Sequence, residues 1–129
     1  MQDQPSATEL LGAVISFIRE RAMPELEGHT AFHARVAANA LDIVKRQLEV
    51  APEANTQEHE RLVALLGQDG DLEELNRLLC DKIASGDMGL ETPGLADHLW
   101  ATTLTKLAID QPNYSGYRRG LEEWQAAGK

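Results

Sequence analysis

Two histidines four residues apart, His29 and His33, stand in the stretch HTAFHARVAANALDIV. Three polar residues, Thr103, Lys106 and Asp110, recur at helical spacing in LADHLWATTLTKLAID. Positions three and four apart share one face of a helix, so each set forms a strip. An imidazole titrates near neutrality and can move a proton or bond a ligand. A lysine one turn from a carboxylate can pair with it or hold an anion. Arg35 and Asn39 flank the first strip. After the second comes DQPNYSGYRRGLEEWQ, where Tyr114, Tyr117 and Arg118 offer hydroxyl and guanidinium donors that could lid it. These ten residues are the candidate ligand-binding set.

Catalytic and metal chemistry find less. No motif places a nucleophile beside His33, so no catalytic residue is assigned. HTAFH lacks the glutamate of HExxH, and His59-Glu60 begins that motif only to fail at Val63. In QDGDLEEL, glycine separates Asp69 from Asp71, which fits a helix cap better than a calcium loop. Cys80, the single cysteine, falls beside Leu79 and Ile83 and reads as a small core residue. GxGxxG, GxxxxGK[ST], CxxC and GxSxG are all missing, so neither cofactor nor metal is expected.

The elements that would position the strips follow from caps and breakers. Ser6 with Glu9 makes a capping box for a first helix to about residue 22, stopped by Pro24. A second helix spans about 29–49, ended by Ala51-Pro52. Asn55 with Glu58 opens a third, closed near Gly67. Asp71 with Glu74 opens a fourth, closed at Gly86. Thr92-Pro93 opens a fifth, to about residue 110, and a short segment follows over 121–127. No stretch alternates with period two, so the expectation is a single all-α domain over 1–129, a bundle of five principal helices plus a short C-terminal segment.

At about 100° per residue, Phe32, Val36, Ala40, Ile43 and Val44 fall on one half of the second helix, with His33 among them. Asp42, Lys45 and Arg46 then face water. In the fifth helix, Leu95, Leu99, Trp100, Leu104 and Leu107 define the apolar face, and the Thr103–Asp110 strip lies within it. The reading is that His33 and Lys106 are mostly buried, that the two strips face each other, and that residues 112–119 fold back on the bundle.

The chain has 129 residues, 43% hydrophobic and 26% charged, with twelve basic against twenty-one acidic side chains and a formal charge of −9. Such a surface repels phosphate backbones and anionic bilayers, so neither nucleic acid nor membrane is an expected partner. MQDQPSATELLGAVISFIRERA lacks the basic start of a leader, and no apolar run approaches the ~20 residues of a membrane span. A cytoplasmic location is expected.

The segments FHARVAANAL and ATTLTKLAIDQPNYSGYR, with PSATELLGAVISFI and DGDLEELNRLLCDKI, resemble a small bacterial all-helical domain family of unknown function. Its members are often encoded beside acyl-CoA dehydrogenase-like and aminoglycoside-phosphotransferase-like proteins. The resemblance implies an accessory or interaction protein linked to acyl-CoA or related catabolic enzymes, with such a neighbour as partner. The alternative is a binding module for a small molecule or acyl thioester that uses the polar strips. A small acid–base enzyme comes third, and a homo-oligomer fits any of these.

Overall fold

Ser6 sets the first helix going. Its hydroxyl accepts from the Glu9 amide at 3.3 Å and the Glu9 carboxylate accepts from the Ser6 amide at 2.7 Å. Those hydrogen bonds hold the Glu9 carboxyl below its ordinary pKa. In the computed structural model, which describes residues 3–129, this box opens α1 (Ala7–Phe17). The path then widens into a π turn, Ile18–Ala22, and tightens into a 3-10 turn, Met23–Glu25, at Pro24. Four further helices follow: α2 (Gly28–Leu66), α3 (Leu72–Ser85), α4 (Leu95–Asp110) and α5 (Ser115–Ala126). The fold is all-α, and no strand occurs among the described residues. Met1 and Gln2, which begin the segment read above for a leader, lie outside the described residues.

The largest departure from the sequence reading is α2. The second and third expected helices are one helix of 39 residues with Pro52 inside it. A proline removes a single amide donor from the helical ladder, at a cost of about 3 kcal/mol. The helix passes through, and Thr56 donates its hydroxyl to the Pro52 carbonyl at 3.1 Å. The Asn55 cap therefore does not form. The Asp71 box does, with the Glu74 amide bonded to the Asp71 carboxylate at 2.8 Å, and Gly86 (φ 83°) ends α3. Thr92 is not the cap of α4. Its hydroxyl accepts from the Gly89 amide at 3.0 Å, and the N-cap is Gly94. Gly94 has φ 85°, a conformation that side chains rarely adopt. The final helix starts at Ser115, six residues earlier than expected.

The chain falls into two compact units, one ending at Ala51 and the other running from Pro52 to Lys129. In the second, Leu62, Leu75, Leu79 and Leu95 form a buried leucine cluster. Polar bonds tie α3 to the end of α2: Asn76 donates to the Glu58 carboxylate at 2.8 Å, and His59 meets the Gly70 carbonyl at 2.9 Å. The chain after α4 folds back on it through α5, with its close approach at Gly120, one residue past the 112–119 segment expected to fold back. Gly120 is buried, and a Cβ there would sit 3.4 Å from Leu104 and 3.5 Å from Trp100. The first unit is leaner. Ile15, Ala38 and Ala51 are its buried apolar residues, so Ile15 is its one fully buried large side chain among the described residues.

Pro52→Ala returns the missing donor. It is expected to stabilise the protein by roughly 1–3 kcal/mol, seen as a higher urea midpoint. A lower midpoint would show that the proline is favoured in place.

Candidate functional site

The first strip is turned the other way from expectation. His29, His33, Arg35 and Asn39 are exposed. His33 packs only edge-on against Phe32, with ring centroids 5.5 Å apart and planes at 71°. The covered side of α2 is instead made of Ala31, Ala34, Ala38, Leu41, Asp42 and Lys45. The reason lies in α1 and the turn after it. Arg19 donates to Asn39 at 2.9 Å and to Asp42 at 2.5 Å, and a Cβ on Gly12 would lie 3.6 Å from the Lys45 ammonium. The α1 segment thus meets α2 along its alanine and charged side. The residues taken as the buried face, Phe32 (56% exposed), Val36 (48%), Ile43 and Val44, are left open. On α1, Leu10, Val14 and Phe17 (62%) form a matching open stripe at helical spacing.

The second strip is also exposed. Thr103, Lys106 and Asp110 all stand in solvent, and Thr103 spends its hydroxyl on the Leu99 carbonyl at 2.8 Å. The face drawn through its leucines and Trp100 is covered in part, with Leu95 and Leu104 buried and Leu107 half-buried. The covered arc also takes in His98, Ala101, Thr102, Thr105, Ala108 and Ile109, while Leu99 and Trp100 remain exposed. Of the tail residues, Tyr117 is half-buried and Tyr114 exposed, while Arg118 donates to Asn113 at 3.0 Å within its own turn. The strip on α2 belongs to the first unit, and the residues from Thr103 to Arg118 belong to the second. Mostly buried His33 and Lys106 are therefore a failed expectation. So is a core Cys80, since that thiol is exposed on α3. Among the described residues, no three His, Cys, Asp or Glu side chains come together as a metal site would need, and no helix is long and apolar enough to cross a membrane.

Sequence reasoning passed over the buried histidine. His98 is 2% exposed, and its Nδ1 is buried with no hydrogen-bond partner. It lines a cleft of about 280 Å³ with Arg61, Ala64, Leu65, Pro93, Gly94 and Asp97, all in the second unit. Burial lowers the His98 pKa, and the Arg61 guanidinium lowers it further against an opposing pull from Glu58. The signal that could have found it is the row of small residues at 101, 102, 105 and 108, which shares its helical face.

Two outcomes test this placement. His33→Leu should change stability by no more than about 0.5 kcal/mol, the usual range for a surface position. A loss of several times that in urea unfolding would put His33 back in a buried network. His98 predicts a pH dependence. Its folded pKa lies below the ordinary value of 6.5, so the unfolded chain binds more protons in acid. The associated stability is complete above about pH 6.5 and is lost as the pH falls through the folded value. The melting temperature should drop below about pH 6.5, and the drop should shrink in His98→Gln. Parallel profiles for the two proteins would refute it.

No curated protein and no solved structure matches the chain. A family model, Domain of unknown function (DUF6285), matches residues 24–114, a span that holds α2, α3 and α4 and with them both the open apolar side of α2 and the His98 cleft. By that match over most of its length, the chain belongs to the DUF6285 family.

Proposed function

We propose that the chain is a helical accessory protein that docks a partner on the open apolar side of α1 and the first half of α2. The observation that supports this is the inversion of α2, which turns Phe32, Val36 and Ile43 outward while alanines and an ion pair face α1. From Phe32 to Leu48 the open side runs about 24 Å at 1.5 Å per residue. Covering a large apolar side chain contributes ~1.5–3 kcal/mol, and a unit with one large buried side chain has much to gain from such cover. Charge supports the same surface. Seven acidic and five basic residues precede Pro52, against fourteen and seven from Pro52 onward. The near-neutral part is the one that an apolar partner can approach without strong repulsion. The partner proposed is an acyl-CoA dehydrogenase-like enzyme in the cytoplasm, the kind of neighbour that the sequence resemblance brings with it. No chemical step is assigned to the chain itself.

Mixing the purified chain with acyl-CoA dehydrogenase-like and phosphotransferase-like enzymes of its own source, followed by sedimentation velocity, tests the proposal. A complex with the dehydrogenase-like enzyme is expected, weakened at least tenfold by Phe17→Glu and by Phe32→Glu with the helical circular dichroism unchanged. A complex of full strength in both variants would overturn the docking surface. A homodimer that these variants break would assign the face to a second copy and overturn the enzyme partner.

A further inference from the structure

The His98 cleft lies in the second unit and is independent of the docking surface. Three groups converge there. His98 brings a buried nitrogen, Nδ1, without a partner, and Arg61 brings a buried Nε that is likewise unpaired. The third is the start of α4, where Gly94 offers no side chain to cap the first amides. Buried polar groups normally find partners, and one left unpaired at a cleft costs free energy that a ligand can recover. A guanidinium and an uncapped helix start both favour negative charge. The rest of the lining, Ala64, Leu65 and Pro93, is apolar. Asp97 also lines the cleft, but its carboxylate is paired with the Lys129 ammonium, and Glu58 accepts from Asn76. Asn76 is neutral, so Glu58 keeps its negative charge, which acts on His98 against the Arg61 guanidinium. The guanidinium can take one carboxylate beside the apolar walls, while Glu58 disfavours a second negative charge, so the fitting ligand is a monoanion with an apolar body rather than a phosphate dianion.

We propose that this cleft binds a small organic carboxylate, with Arg61 and the start of α4 meeting the carboxylate and Ala64, Leu65 and Pro93 taking its hydrocarbon part. His98 lines the same cleft. Being neutral at pH 7, it carries one ring proton, which Nδ1 can present to a carboxylate oxygen. Lys106, exposed on another side of α4, takes no part.

The test is a titration of the full chain with acetate, butyrate and benzoate, with inorganic phosphate alongside, followed by the ring nitrogen resonances of His98 in nuclear magnetic resonance. Saturable shifts of His98 are expected with butyrate or benzoate, stronger than with acetate. Arg61→Gln should weaken them at least tenfold, and Lys106→Gln should leave them unchanged. No saturable shift in the unaltered chain would overturn the site, whether or not the Arg61 variant folds. Equal binding in a folded Arg61→Gln protein would overturn the role given to the guanidinium. Phosphate saturating the site more tightly than the carboxylates would overturn the ligand class.

Discussion

The orientation of α2 about its own axis decides what this protein shows to its surroundings. Arg19, held between Asn39 and Asp42, lies on the alanine side of that helix. An ion pair of this kind, with Arg19 40% and Asp42 28% exposed, contributes only about 0–1 kcal/mol. The phenylalanine and valine side chains turned outward would each contribute more if buried. The orientation cannot rest on the ion pair alone. The covered residues on that side, Ala31, Ala34 and Ala38, are small and put no bulk beside the ion pair. The result is a surface whose apolar groups stay in water until something else removes them.

Local and long-range features were legible in the sequence to different degrees. The Ser6 and Asp71 boxes were readable because both partners of each cap sit within one turn, and local chemistry alone sets them. Gly86 was readable for the same reason. Pro52 misled because a proline's helix-breaking cost is local, whereas the packing that carries α2 past it is not. Helical phase misled for a related cause. In α2 Phe32, Val36, Ile43 and Val44 occupy one side and alanines another, and the covered side is the small one. The covered arc of α4 instead mixes Leu95, Leu104 and Ile109 with small residues and leaves Leu99 and Trp100 open. Large apolar residues alone therefore mark the wrong half of α2 and only part of the covered arc of α4. That error moved attention to His33 and Lys106 and away from His98, which lies one turn after the buried Leu95 on the covered arc of α4.

The two candidate surfaces use opposite physics. The open side of α1 and α2 is broad, nearly neutral in its setting and built from side chains that need no partner atom by atom. The His98 cleft is narrow and directional, with unpaired donors in an apolar wall inside the more acidic unit. Long-range repulsion from that unit disfavours highly charged anions, while the local donors favour a single negative charge at short range. Selection by total charge is thereby built into where the cleft lies.

A single uninterrupted helix, α2, spans two environments of unequal depth. Its first part is anchored by Ile15 and alanines, its last part by Leu62 within a leucine cluster, and Pro52 breaks the amide ladder where they meet. Opening free energy follows the burial that must be given up. Amide protons before the proline should therefore exchange with solvent well ahead of those after it, although one helix carries both. Continuity along a helix does not make its stability uniform.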